Sequence, residues 1–90
     1  MILTNEIIFE TFDEAMNVHT RLFEIMRNNG IVTCADLYKV SNEKYETSDP
    51  EYYKYGWTNL WGSKVEPFGY NGYWVLRLPE IINLEKENEK

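Results

Sequence analysis

Apolar and polar positions change period along this chain of 90 residues, and each period predicts an element. Glu6-Ile-Ile-Phe-Glu10 sets β-branched and aromatic residues between two charges and is too short for a helix, so it reads as a strand. From Phe12 the period becomes helical. Ala15, Val18, Leu22 and Ile25 make one stripe, and Phe12, Met16, His19, Phe23 and Met26 make the adjacent one, which together predict a wide apolar face. Asp13, Asn17, Thr20, Glu24 and Arg27 take the wet side. Thr11-Phe-Asp-Glu14 matches a capping box at the start, and Asn29-Gly30 supplies a left-handed residue for the end.

Ile31-Val32 then leads into Thr33, a second cap with Asp36 at its N3 position, which opens a short helix over Cys34 to Val40. The two helices form a helix-turn-helix pair. Residues 41 to 51 lack apolar periodicity and contain Asp49-Pro50, so they read as a polar loop. Pro50 can start a single helical turn over Glu51 to Lys54, capped by Ser48 or Asp49 and broken by Gly56.

Tyr70-Asn-Gly-Tyr73 carries the strongest short-range hairpin signal, a two-residue type I′ turn between β-rich runs. With Tyr70 opposite Tyr73, the expected pairs are Gly69 with Trp74, Phe68 with Val75, Pro67 with Leu76, Glu66 with Arg77 and Val65 with Leu78. That register puts Val65, Trp74, Leu76 and Leu78 on one face, and Phe68, Tyr70, Tyr73 and Val75 on the other. Pro67, which has no N–H, is expected at a sheet edge with its missing donor turned away from the partner strand. The layout is that of an α+β domain: an N-terminal strand, a long amphipathic helix, a short second helix and a C-terminal β-hairpin in a small antiparallel sheet. Residues 1–84 are expected to form one compact domain and 85–90 a charged, solvated tail. The same order of elements is also that of a winged helix, although the second helix is poor in base-reading residues.

Charge narrows the partners. Nine Lys and Arg stand against 15 Asp and Glu, a formal charge of −6 that would repel nucleic acid. The excess lies in residues 1–30, with five acids and two bases, and in 79–90, with four acids and two bases. The middle is nearly neutral, and its cations, Lys39, Lys44, Lys54, Lys64 and Arg77, are a thin set for phosphate contacts. One cysteine cannot form an internal disulfide, no Cys or His cluster spells a zinc or iron–sulfur site, and no cofactor is implied. Neither a signal-peptide pattern nor a membrane-length apolar run is evident, so the expected location is the cytoplasm, with no membrane partner.

Three stretches, Gly-Ile-Val-Thr-Cys-Ala-Asp-Leu-Tyr (Gly30 to Tyr38), Tyr-Gly-Trp-Thr-Asn-Leu (Tyr55 to Leu60) and Gly-Tyr-Trp-Val-Leu-Arg-Leu-Pro (Gly72 to Pro79), together resemble a family of small proteins encoded by bacteriophages and prophages. The resemblance covers roughly residues 7 to 80. It implies a leading helix, a variable loop and a closing hairpin, and it carries over no enzymatic activity or cofactor. It also implies binding to a host or phage protein, including inhibition of a host defence or nucleic-acid-handling enzyme. The loop from Glu43 to Lys54 is longer than such proteins lead one to expect.

Candidate chemistry is sparse. His19, the only histidine, lies on the apolar side of the first helix, and a dyad with Cys34 is the one nucleophilic arrangement to consider. Asp36 with Glu14, or Asp49 with Glu51, are better explained by capping and solvation than by acid–base work. Aromatic residues are the feature in excess: ten of the 14 lie between Tyr45 and Trp74. Trp57, Trp61 and Trp74 are assigned to the core. Tyr52, Tyr53, Tyr55, Phe68, Tyr70 and Tyr73 are assigned to a partner-binding surface, because tyrosine combines large area with few rotors. Glu43, Glu46, Asp49 and Glu51 frame it and would stand where phosphates lie against a basic channel. The functional expectation is a non-enzymatic protein-binding module, monomeric or paired through the edge strand 63–68, with a winged-helix DNA binder as the alternative.

Overall fold

A computed structural model of the chain describes residues 3–41 and 50–85. It is α+β, with two antiparallel sheets of three strands each. The elements in order are β1 (Glu6–Phe9), α1 (Phe12–Asn29), β2 (Val32–Thr33), α2 (Cys34–Val40), α3 (Glu51–Lys54), β3 (Tyr55–Trp57), β4 (Lys64–Phe68), β5 (Tyr73–Arg77) and β6 (Ile82–Asn83).

Local chemistry sets both main helices. The Thr11 hydroxyl accepts from the Glu14 amide, and Gly30, left-handed at φ 79°, closes α1 by donating its N–H to the Met26 carbonyl. The reciprocal capping box forms at α2: Thr33 Oγ1 accepts from the Asp36 amide at 3.0 Å, and Asp36 Oδ2 accepts from the Thr33 amide at 3.1 Å. The single turn α3 starts at Pro50 without a side-chain cap; Ser48 and Asp49, expected to cap it, lie outside the described residues.

The larger sheet has the order β1-β5-β4, so β4 is an edge, as Pro67 predicts. Its hairpin is not the expected two-residue turn. Lys64 pairs with Arg77, Val65 with Leu76, Pro67 with Trp74 and Phe68 with Tyr73, a slide of two residues that leaves a four-residue loop, Gly69 to Gly72. Both loop glycines take positive φ, 65° and 81°, so the loop bends at its two ends. An even slide preserves the faces. Val65, Trp74 and Leu76 still face inward, and Glu66, now diagonal to Arg77, still bonds its guanidinium.

Backbone bonding around β5 shows which way each strand's polar groups point. The Leu78 amide donates to the Asn5 carbonyl at 2.8 Å, so the even residues of β5 bond β1 and the odd ones bond β4. Val65 and Pro67 therefore turn their backbone outward, and β4 offers a neighbour one N–H there, that of Val65. The outer side of β1 is blunted differently: Thr4 Oγ1 donates to the Glu6 carbonyl and accepts from the Glu6 amide.

Helix α1 packs across the inner face of this sheet, burying Ala15, Val18 and Leu22 against Ile7, Phe9 and Leu76. The second sheet, β2-β3-β6, was not legible as strands in the sequence. It pairs Val32 with Trp57, Thr33 with Gly56, and Gly56 with Ile82. Trp57 is its hub, buried, with its indole N–H donated to the Pro79 carbonyl at 2.7 Å. Gly56 is obligatory here for closeness, not for a turn: a Cβ on it would stand 2.0 Å from the Val32 carbonyl oxygen. Leu84 is buried too, so the ordered chain continues through the segment after Pro79.

One core assignment, Trp61, needs correction, while Trp74 lies at the core's margin. Trp61 is 84% exposed, and Trp74 is half-buried with its ring edge-on to Phe12 at 4.8 Å. Trp61 sits in a turn, Leu60 to Ser63, closed by the Ser63 amide on the Leu60 carbonyl, with Gly62 at φ 82°. A residue at the second position of such a turn points away from the chain, and indole size does not override that.

Candidate functional site

Among the described residues, those named as a binding surface do not lie together. Alternation along the large sheet sends Ile8, Phe68, Tyr73 and Val75 to the face opposite α1, with Tyr70 fully exposed at the hairpin tip. Phe68 and Tyr73 are cross-strand partners, so their rings share one end of that face. Strand β1 does not cover them. It pairs edge to edge with β5 and adds Ile8, 48% exposed, opposite Val75. Val75 itself is only 1% exposed, walled in by its strand neighbours, and so forms the floor of the patch. The other end of the face is charged. Arg77 bonds both Glu6 and Glu66, and Lys64 lies 3.8 Å from Glu66, which neutralises that end.

Tyr52 is a correction. At 6% exposure it is a core residue, its ring perpendicular to that of Tyr38 at 5.3 Å, because the helical turn α3 directs it against α2. Tyr53, the next residue, points out, and its hydroxyl takes a hydrogen bond from Lys39 Nζ at 3.0 Å, which raises the lysine's pKa. Tyr55 is half-buried at the start of β3, and Glu51 pairs with Lys54 at 3.2 Å. These residues belong to the α2–α3 side, while Phe68, Tyr70 and Tyr73 belong to the sheet face. Glu43, Glu46 and Asp49 lie outside the described residues.

In the basic set Lys54 is paired with Glu51, and Lys64 and Arg77 with acids on the sheet; Lys39 hydrogen-bonds Tyr53 and keeps its charge, and Lys44 lies outside the described residues. Helix α2, the counterpart of a recognition helix, buries Cys34, Ala35, Leu37 and Tyr38.

The Cys34–His19 dyad does not form. Cys34 is fully buried in the core, and burial pushes its thiol up to about 12. The His19 ring instead lies 2.8 Å, through Nε2, from Ser63 Oγ, tilted against Phe23 at 4.8 Å, and burial lowers its pKa. A histidine beside a serine is two-thirds of a hydrolytic triad, but among the described residues no acid bonds the other ring nitrogen to orient it. The pair ties α1 to the turn that carries Trp61. Among the described residues, no three of His, Cys, Asp and Glu gather as metal ligands, and no helix is long and apolar enough to cross a membrane.

Sequence reasoning missed one feature, an apolar groove of about 570 Å³ between the C-terminal half of α1 and the turn after β3. Phe23, Met26, Leu60 and Trp61 give it its apolar surface, with Glu24 and Arg27 on its border. Its signal was the second helical stripe, which is wider than one sheet can cover and leaves Phe12, Met16 and Phe23 exposed. Ile8 was likewise missed, although three apolar residues in succession in Ile7-Ile8-Phe9 cannot all face a single core.

The three stretches behind the family resemblance meet in space. Val32 and Thr33 pair with Trp57 and Gly56, and Trp57 bonds Pro79. Most of their apolar side chains are buried. No protein-family model matches this chain, nor does any curated protein or solved structure with which it was compared.

Proposed function

We propose that this chain is a non-enzymatic protein-binding module of the small bacteriophage or prophage kind, acting as an inhibitor of a host protein through the outer face of its large sheet. One observation carries the reading: Ile8, Phe68 and Tyr73 stay exposed together on a face that neither α1 nor β1 covers, with Tyr70 exposed at the adjoining hairpin tip. Exposed apolar clusters of this kind mark interaction sites more often than accidents of folding. The face also has the makeup of a hot spot, with rigid aromatic anchors beside a charge network that is already satisfied internally. The surplus of acids, −6 overall, favours a target with a basic surface, such as an enzyme that handles nucleic acid.

The test is quantitative capture from bacterial lysate on immobilised protein. The reading expects a saturable host protein whose retention falls about tenfold or more with Tyr70→Ala and with Phe68→Ser, each about 1.4 kcal/mol or more of hot-spot energy. Arg21→Ala, an exposed change on α1, should retain it. Capture untouched by both face variants overturns the reading.

A further inference from the structure

The groove beside Trp61 lies apart from the hairpin face, and its surroundings specify an occupant. Trp61 is carried on a fixed turn. Its own amide donates to Asn59 Oδ1 at 3.1 Å, the turn is closed by Ser63 on Leu60, and the Ser63 hydroxyl is tied to His19. A fixed turn removes the backbone's share of the ordering cost on binding and leaves that of the indole's two rotors. The groove beside it is apolar at Phe23, Met26 and Leu60, so projecting ring and receiving groove share one patch of one molecule.

Charge on the border makes this patch complementary to itself. Glu24 and Arg27 stand three residues apart on α1, and among the described residues neither forms an ion pair. A two-fold axis crossing α1 between them brings each acid opposite the other copy's base. A partner carrying one sign of charge would leave one of the two unmatched. We propose that the chain forms a two-fold symmetric dimer in which Trp61 of each copy fills the other's groove and Glu24 faces the partner subunit's Arg27. The net charge of −6 per copy opposes association. At physiological ionic strength that field is screened beyond about 8 Å, while the border charges act at contact. Two buried indoles contribute about 300–500 Å² between them, below the roughly 1,200 Å² of a stable interface, so the surrounding groove must supply the rest and the dimer is a weak one.

Sedimentation velocity from about 5 to 500 µM protein tests this, with a dissociation constant of about 10–100 µM expected. Trp61→Ala should weaken association about tenfold or more, and Glu24→Arg should do the same by setting two arginines against each other. The exchanged variant, Glu24→Arg with Arg27→Glu, restores both pairs and should return to within about threefold of the parent. All these positions are exposed, and far-UV circular dichroism verifies the fold of each variant. A monomer at every concentration overturns the proposal, including one whose groove takes up a peptide. So does a dimer indifferent to Trp61→Ala, or an exchanged variant no better than the single one. Because Phe68 and Tyr70 lie outside this patch, its failure leaves the host-protein reading standing, and the reverse also holds.

Discussion

Cys34 and His19 show how burial decides chemistry at single residues. With its thiol near 12, Cys34 carries a thiolate fraction of about one in ten thousand at pH 8, and its sulfur is enclosed by the core. Native protein is therefore expected to resist iodoacetamide at pH 8 over an hour and to be alkylated fully in denaturing guanidinium; stoichiometric labelling of the native form would contradict the packing. His19 gives a pH effect of definite sign. Burial lowers its pKa from 6.5, so the unfolded chain takes up the proton first as pH falls. Its contribution to stability is full above pH 6.5 and declines as pH drops from there toward the folded-state pKa. Urea midpoints measured between about pH 7.5 and 5.5 should fall in the parent and be flatter in His19→Gln, whose amide can still reach Ser63. A parent midpoint that rises over this window would refute the assignment. Which residues cap helices was readable from the chain, because Thr11, Thr33 and Gly30 act on neighbours three or four positions away. The contact between His19 and Ser63 was not, since 44 residues separate them.

Among the elements, the second sheet depends most on one position. Any side chain at Gly56 enters the backbone of β2, with Thr33 Cα at 2.7 Å as well as the Val32 carbonyl, and neither strand can yield without breaking its pairing. Gly56→Ala is expected to cost about 3 kcal/mol or more, which for a domain of this size lowers the thermal midpoint by about 12 °C or more. Calorimetry of the variant checks it, and a loss under about 3 °C would show that the strands are not so close. This sheet escaped sequence reading because its strands are two and three residues long, too short for alternation to appear. The large sheet was legible in face and edge, through Pro67 and the alternating run from Tyr73 to Arg77. Its register was not. Asn71-Gly72 pointed to a two-residue turn, whereas Gly69 and Gly72 together permit the four-residue loop that places Pro67 beside Trp74.

For the molecule as a whole, the surplus of aromatic residues is divided among three environments. Tyr38, Tyr52 and Trp57 fill the interior, Trp61 stands beside a groove, and Phe68, Tyr70 and Tyr73 crown the uncovered sheet. Composition along the chain foretold that some rings would be outside. Which ones depended on tertiary placement: α3 turns Tyr52 in and Tyr53 out, and a glycine turn turns Trp61 out. The central claim is that the sheet face is where another protein docks. Amide chemical-shift mapping of labelled protein, titrated with the captured host protein, tests it most directly. Perturbations concentrated at Ile8, Phe68, Tyr70, Tyr73 and Val75 are the predicted result. Perturbations confined to α2 and α3, with that face unmoved at saturation, would contradict it.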